Sequence, residues 1–156
     1  MTAAVLTVSD SAKQGKRADL SGPAVAAVLT AKGFQVIATD LVPDDAALIH
    51  AALIQLAEMA RLVVTTGGTG IAPRDVTPEA THNVCDRLVP GIAELMRSAS
   101  LKQTPYAALS RAICGARGQS LILNLPGSPK GAVESLEAVI HLIPHALDLL
   151  AGKTDH

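Results

Sequence analysis

The sequence predicts an α/β protein in which a mostly parallel sheet lies between two layers of helices. Three observations lead to this prediction. The chain has 156 residues, a length that suits one domain of ordinary size. Short aliphatic and β-branched runs alternate with stretches of helical periodicity. No linker, repeat or low-complexity segment interrupts the alternation, so a single domain is expected over residues 1–156. Strands that alternate with helices form right-handed βαβ units, whose parallel strands are covered on both faces.

The strands are predicted from runs of β-branched and aliphatic residues that end at glycine, proline or polar positions. These runs are residues 4–8, 35–41, 62–66, a short one between 110 and 117, and 121–125. The polar, glycine-containing segment 9–22 after the first strand is predicted as a loop. Open parallel sheets bind ligands beyond the carboxyl ends of their strands, so the loops that follow the strands are the places to search for a site.

The helices are predicted from apolar stripes and from residues that start or stop a helix. They cover residues 23–32, 45–60, 78–87, 91–101 and 129–150. Pro23 suits the start of the first helix and Gly33 suits its end. Thr77 and Pro78 are typical of an N-cap and a first helical residue. Pro144 is expected to kink or split the last helix because it lacks an N–H donor.

Composition and charge exclude several functions. The only aromatic residues are Phe34 and Tyr106, so a protein that stacks nucleic-acid bases on aromatic rings is not expected. Thirteen Lys and Arg against 14 Asp and Glu leave a formal charge of −1, with no basic surface for nucleic acid or an anionic membrane. No signal peptide or membrane-spanning stretch is apparent, which predicts a soluble cytoplasmic protein.

The two cysteines, Cys85 and Cys114, stand far apart in the sequence. They form no C-x-x-C spacing, so neither a structural zinc site nor a redox pair is indicated. Two reduced and buried thiols are favoured over a disulfide.

A glycine-rich loop follows the third predicted strand and consists of Thr65, Thr66, Gly67, Gly68, Thr69 and Gly70. Glycines let the backbone approach a ligand closely, and exposed amides bind phosphate. The loop is not a Walker A loop, because no Gly-Lys-Ser/Thr follows, and it lacks the third glycine of the dinucleotide fingerprint. By itself it fits a phosphate cradle and a tight structural turn equally well.

Charged residues lie close to the glycine loop in the predicted topology. Arg74 and Asp75 follow it along the chain, and Asp44 and Asp45 follow the second strand. An arginine can neutralise phosphate, and an aspartate can hold magnesium. The alternatives are a surface salt bridge for the first pair and capping of the next helix for the second pair.

The loops after the first and last strands supply further polar groups. Ser9 and Asp10 could bind a polar ligand or satisfy a turn. Segment 124–130 could bind an anion at the start of the last helix, where Ser128 is a predicted cap and Lys130 adds charge, or it could be an ordinary strand-to-helix turn. Together the loops carry the groups needed for phosphate-ester or nucleotide chemistry with a divalent metal.

These segments together resemble the molybdenum-cofactor biosynthesis family. The main carriers are Thr65–Gly70 and Arg74–Glu79. The other matching segments follow the family's order and extend over nearly the whole chain: Val8–Asp10, Asp19 with Ser21–Pro23, Pro43–Asp44, Pro90–Gly91, Ser100–Leu101, Leu109–Arg111 and Leu123–Gly127. The most similar groups are the Mog-type molybdopterin adenylyltransferases and the G domains of gephyrin-like fusion proteins.

The resemblance implies a homotrimeric α/β/α protein that transfers AMP from ATP to the terminal phosphate of molybdopterin and releases pyrophosphate. Asp44 and Asp75 match the family's catalytic aspartates and would hold Mg²⁺, and Ser100 matches a serine implicated in activity. The residues that would bind the two substrates are Ser9, Asp10, Thr66, Gly67, Gly68, Thr69, Gly70, Arg74, Ser110, Arg111, Asn124, Pro126, Gly127 and Lys130. Contact with a molybdate-insertion enzyme is also implied.

Two alternatives are retained. One is a pterin carrier or scaffold without turnover, as in the related MoaB-type group, although segments 100–102 and 109–111 fit the Mog type better. The other is a nucleotide-processing enzyme on the same fold, such as a pyrophosphatase of the competence-damage type. Because aromatic residues are scarce, flat ring ligands are expected to be held by backbone hydrogen bonds, aliphatic walls and phosphate contacts, with Tyr106 as the one aromatic neighbour.

Overall fold

Six strands form one sheet in the order β2-β1-β3-β6-β5-β4 in the computed structural model, which describes residues 1–154. The strands are β1 (Thr2–Val8), β2 (Gln35–Val42), β3 (Leu62–Thr66), β4 (Arg87–Leu88), β5 (Cys114–Arg117) and β6 (Ser120–Leu125). β2, β1, β3 and β6 are parallel, β5 runs antiparallel to β6, and β4 runs antiparallel to β5. The predicted mostly parallel α/β/α architecture is therefore confirmed.

Helices cover both faces of this sheet. They are α1 (Asp10–Lys13), α2 (Ser21–Ala31), α3 (Ala46–Met59), α4 (Thr77–Val84), α5 (Pro90–Leu101), α6 (Pro129–Val139) and α7 (Ile143–Leu150). Two short 3₁₀ helices span Pro105–Leu109 and Ile140–Leu142. No helix among residues 1–154 has the length and apolar character needed to cross a membrane.

The apolar core divides into two clusters, one on each face of the sheet. Val64 belongs with α2 and α6 side chains such as Leu29 and Leu136, whereas its neighbour Val63 belongs with α3 side chains such as Leu53. Successive residues of a strand point to opposite faces, so β3 is buried on both sides. Continuous aliphatic runs therefore form the central strands, and Phe34 is the one aromatic residue in the core of the described residues 1–154.

Several predicted boundaries were wrong near the loops. The predicted loop 9–22 contains α1, and α2 begins at Ser21 rather than Pro23. The Asp19 carboxylate accepts a hydrogen bond from the backbone N–H of Gly22 at 3.0 Å and from the Ser21 hydroxyl at 3.4 Å, which helps to satisfy the start of α2. The 3₁₀ helix at Pro105–Leu109 was not predicted at all.

One further predicted helix is shorter than expected, and another is split as expected. The helix predicted over 78–87 ends at Val84, because Arg87 and Leu88 pair with β5 as a two-residue strand. The predicted split of the helix over 129–150 is confirmed: α6 and α7 are separated by a 3₁₀ turn just before Pro144. Ser128 is the N-cap of α6, as predicted, and its hydroxyl accepts from the N–H of Gly131 at 3.1 Å.

Both cysteines are free thiols, as predicted. Burial raises the pKa of Cys85 to about 11 and that of Cys114 to about 12. Both side chains therefore stay protonated at neutral pH and are poor nucleophiles.

Candidate active site

A cleft of about 350 Å³ opens at the carboxyl ends of the parallel strands, where sequence reasoning placed it. Its lining comes from four separate loops. The segment after β1 contributes Ser9, Arg17 and Asp19, and the loop after β2 contributes Asp44. The loops after β3 and β6 contribute Gly67, Gly68, Asp75, Gly127, Ser128 and Pro129. The sheet topology thus collects residues that are more than a hundred positions apart into one site.

The glycine turn after β3 forms one wall of the cleft. Gly67 and Gly68 have φ angles of +93° and +67°, a left-handed conformation that other residues rarely adopt. A Cβ atom on Gly67 would lie 2.2 Å from the carbonyl oxygen of Val8, and one on Gly68 would lie 2.4 Å from the hydroxyl of Thr77. Both glycines are therefore required for the turn to pass close to β1 and α4.

Thr77 was wrongly predicted to be the N-cap of α4. It is the first helical residue, and Val76 precedes it as the cap. The Thr77 hydroxyl donates to the carbonyl of Gly67 at 2.9 Å, and its N–H donates to the carbonyl of Gly68 at 3.1 Å. This side chain fastens the glycine turn to the start of α4.

Several residues that line the cleft have a backbone amide that no protein group uses. The N–H of Gly67 donates to the carbonyl of Leu125 at 3.1 Å. Within residues 1–154, however, the N–H groups of Gly68, Gly127 and Ser128 have no protein acceptor. Amides at this edge are thus available to the oxygen atoms of an anionic ligand.

Asp44 and Asp75 bring two carboxylates to the same cleft. Burial raises the pKa of Asp44, and the neighbouring Asp10 and Asp75 carboxylates raise it further. One oxygen of Asp44 accepts from the N–H of Asp10 at 2.9 Å, and one of Asp75 accepts from the N–H of Ala72 at 2.9 Å. Each carboxylate is thus held by a loop amide and keeps acceptor capacity for a ligand.

Magnesium fits these two carboxylates only with help from a ligand. Among residues 1–154, no group of three or more His, Cys, Asp or Glu side chains could hold a metal ion. Mg²⁺ in proteins is commonly bound through one or two carboxylates together with substrate phosphates and water. Asp44 and Asp75 match that donor set.

Asp10 and Arg74 tie the loops after β1, β2 and β3 together. The Asp10 carboxylate accepts from the N–H of Asp44 at 2.9 Å, while the Asp10 N–H donates back to the Asp44 carboxylate. Arg74 forms a two-pronged ion pair with Asp10 and also donates to the carbonyl of Asp44 at 3.2 Å. The Arg74 side chain holds the pKa of Asp10 below its usual value. Both residues were predicted to bind substrate, but they contact other loops and do not line the cleft.

Arg111 also supports the site from outside the cleft. Its guanidinium donates to the carbonyls of Gly70 at 2.7 Å and Asp75 at 2.6 Å, and it forms an ion pair with Glu79. The N–H of Arg111 donates to the carbonyl of Thr69 at 2.8 Å. Arg111 therefore holds the shape of the loop that carries Asp75.

Asn124 and Thr66 lie beneath the cleft floor and are fully buried. The amide of Asn124 donates to the hydroxyls of Thr65 and Thr81 at 3.1 and 2.9 Å, and its oxygen accepts from the N–H of Ile113 at 3.3 Å. The Thr66 hydroxyl pairs with that of Ser21 at 2.8 Å. Neither predicted binding residue lines the cleft, because each is hydrogen-bonded inside the protein.

Ser100 lies in a different place from the two carboxylates. It lines a hollow of about 40 Å³ together with Ser110 and Pro126, and its hydroxyl is 3.3 Å from that of Ser135. Lys130 is exposed and lies 3.8 Å from Glu134. Asp44 and Asp75 therefore line the cleft. The predicted site residues that do not are Ser100, Ser110, Pro126 and Lys130.

Sequence reasoning missed one residue of the lining and wrongly expected another. The missed residue is Arg17, which was given no role although it is a basic residue in the polar segment after β1. The wrongly expected residue is Tyr106, which is 77% exposed and does not line the cleft. The aromatic neighbour expected for a ring ligand is thus absent from the lining, and the other aromatic residue, Phe34, is buried in the core before β2.

This fold and cleft define an α/β/α protein with a polar cleft at the carboxyl edge of its parallel strands. Residues 4–145 match the family described as "Probable molybdopterin binding domain", and the chain belongs to that family.

Three relatives illustrate the similarity. The chain is 48% identical over 153 residues to a molybdopterin adenylyltransferase of Helicobacter pylori, covering 96% of this chain and 87% of that protein. It is 41% identical over 160 residues to gephyrin of Dictyostelium discoideum, covering 96% of this chain and 22% of that protein. The crystal structure of the molybdopterin biosynthesis enzyme MoaB from Thermus thermophilus is similar with a TM-score of 0.91 at 53% identity, covering 97% of each chain. The relatives thus come from both groups, and the preference for the Mog type over the MoaB type stays a prediction.

Proposed function

We propose that this chain is a molybdopterin adenylyltransferase of molybdenum cofactor biosynthesis. The proposal rests on one observation above all: the carboxylates of Asp44 and Asp75 and residues with unpaired backbone amides line the same cleft at the carboxyl edge of the sheet. The high identity to a relative that bears this name supports it. The terminal phosphate of molybdopterin and the triphosphate of ATP both carry many oxygen acceptors. Backbone amides such as those of Gly68 and Gly127 are suitable donors for them.

The proposed reaction is a transfer of AMP between two phosphates. An oxygen of the terminal phosphate of molybdopterin attacks the α-phosphorus of ATP and forms a new phosphorus–oxygen bond. The bond between the α-phosphorus and the bridging oxygen breaks, and its electron pair leaves with pyrophosphate. The attacking oxygen is already anionic, so no strong general base is needed. The protein contributes mainly by positioning the two phosphates and by neutralising charge.

Asp44 and Asp75 are the proposed holders of Mg²⁺ in this reaction. The bound ion would neutralise charge on the phosphates. The chain's own contribution is to fix both carboxylates through loop amides and to hold the loop of Asp75 through Arg111. Ser9, Gly67 and Gly68 then border the space for the transferred group.

The test is an adenylylation assay with ATP, Mg²⁺ and molybdopterin. Wild-type protein is expected to form adenylylated molybdopterin and pyrophosphate in equal amounts. Asp75→Asn is expected to lower turnover by about 100-fold or more while the chain stays folded, because the variant loses a carboxylate that would hold Mg²⁺ against the reacting phosphates. The loss should exceed that of the control below.

Asp45→Asn is a matched control for that experiment. It makes the same change of charge, but Asp45 is the N-cap of α3, and asparagine caps a helix equally well. Asp45→Asn should therefore keep near wild-type turnover. Tight binding of molybdopterin without pyrophosphate release by the wild type would instead identify the carrier alternative.

The assembly and location of the protein are part of the same proposal. We propose a homotrimer in the cytoplasm that passes its product to a molybdate-insertion enzyme. Apolar side chains exposed along α5 and the following 3₁₀ helix, such as Leu101 and Leu109, are available for contacts between subunits. Sedimentation equilibrium of the purified chain measures the subunit number directly.

A further inference from the structure

We propose that Arg17 binds a phosphate group of an anionic substrate in the cleft and so sets the affinity of that substrate. The inference rests on the proposed function, since it assigns a role to a residue of the same cleft. No sequence motif pointed to Arg17, and the proposed reaction has not yet used it.

The charge of the cleft is the first argument. Its lining includes the carboxyl groups of Asp19, Asp44 and Asp75, and Arg17 is the one basic residue in the lining formed by residues 1–154. A substrate with several phosphates would meet like charge on entering such a site. A cation in the lining offsets that repulsion at the position where the phosphates must lie.

Three basic side chains predicted to bind substrate at this edge are already engaged, and Lys16, unpaired within residues 1–154, does not line the cleft. Arg74 is paired with Asp10, and Arg111 with Glu79 and two loop carbonyls. Lys130 lies beside Glu134. Arg74 and Arg111 therefore hold the loops in place, and none of these three basic residues lines the cleft.

Arg17 is not engaged in this way. Within residues 1–154 its side chain forms neither a hydrogen bond nor an ion pair, and only its backbone N–H is used, in a bond of 3.3 Å to the carbonyl of Ser11. The residue lies between α1 and α2 and is exposed. A guanidinium is a planar set of donors that matches two oxygens of one phosphate, so an unpaired arginine suits phosphate recognition.

Either substrate could supply that phosphate. ATP carries three phosphate groups and molybdopterin one, and the same guanidinium chemistry would recognise both. The two sources differ in which Michaelis constant depends on Arg17, so the kinetic experiment distinguishes them.

Arg17→Gln is the variant for the test, and Lys16→Gln is its matched control. Lys16 is the adjacent basic residue, it is exposed, and it does not line the cleft. Both variants lose one positive charge from the same segment. Arg17→Gln is expected to raise the KM of one substrate by about 10-fold to 100-fold, the range for a lost hydrogen bond to a charged group, and to leave kcat unchanged. Lys16→Gln should leave both constants unchanged, and Arg17→Lys should recover part of the affinity.

A binding measurement without turnover completes the test. Titration of the wild type with inorganic pyrophosphate by calorimetry is expected to give a Kd that weakens by a similar factor in Arg17→Gln and is unaffected in Lys16→Gln. Equal constants for the two glutamine variants, in kinetics and in titration, would overturn the role of Arg17. If the wild type forms no adenylylated molybdopterin, the proposed function is overturned instead. The pyrophosphate titration then still tests whether Arg17 binds phosphate, because it does not depend on turnover.

Discussion

Polar residues occur in two regions at the carboxyl edge of the sheet, and the two regions use their hydrogen-bonding groups differently. In the buried layer formed by Thr65, Thr81 and Asn124, the asparagine amide is bonded to both threonine hydroxyls. In the cleft above, the amides of Gly68 and Gly127 have no acceptor within residues 1–154. Satisfied buried polar groups specify a fold, whereas unpaired groups at an open edge are available to a ligand. The comparison predicts that the two regions respond to mutation in opposite ways.

The largest expected effect is a loss of activity in the cleft without a loss of stability. Asp44→Asn should lower kcat by about 100-fold to 1000-fold, because it removes a carboxylate that would hold the Mg²⁺ that neutralises charge on the reacting phosphates. The melting temperature should be equal to or higher than that of the wild type. Burial and nearby carboxylates raise the pKa of Asp44 in the folded state, so folding disfavours the charged form of this side chain above its unfolded pKa of about 3.9. Steady-state kinetics and calorimetry measure the two quantities.

Asp45→Asn serves as the control for this variant as well, since it changes the adjacent carboxylate at a capping position. A large drop in the melting temperature of Asp44→Asn, with activity lost only in proportion to unfolded protein, would contradict the assignment. Asp44 would then belong with the buried layer rather than with the cleft.

The buried layer should show the reverse behaviour. Asn124→Ala is expected to lower the free energy of unfolding by about 2–3 kcal/mol, because it leaves buried donors and acceptors without partners. The kcat per folded molecule should change little. Chemical denaturation measures the first quantity, and kinetics at a temperature where the variant is folded measures the second.

Asn83→Ala provides the matched control for the buried layer. Asn83 is exposed on α4, so the same substitution there should cost little stability. If Asn124→Ala loses activity under conditions where the variant is fully folded, Asn124 binds the substrate, as the sequence alone predicted.

The sequence is informative about the fold and the loops, and less informative about which residues of a loop face the ligand. β3 was predicted at its observed bounds because its apolar run ends abruptly in two glycines. Asp44 and Asp75 were predicted at the cleft because loops that follow parallel strands converge there. Asn124 and Arg111 carry equally suitable chemistry, but contacts with residues distant in the sequence direct them elsewhere. Arg17 was missed for the converse reason, since nothing in its local sequence marks a side chain that lacks a partner.

The smallest expected effect concerns the pair that ties the loops around the cleft together, Asp10 and Arg74. Arg74→Gln should lower the melting temperature slightly at pH 7, because the ion pair is largely exposed to solvent. The Arg74 side chain lowers the pKa of Asp10 in the folded state, so the pair stabilises the protein above the unfolded pKa of about 3.9 and loses that contribution as the pH falls through the lower folded value. The difference in melting temperature between wild type and variant should therefore shrink as the pH is lowered from 7 to 3. Thermal unfolding across that range tests the prediction, and a difference that stays constant would mean that Arg74 acts only through its bond to the carbonyl of Asp44.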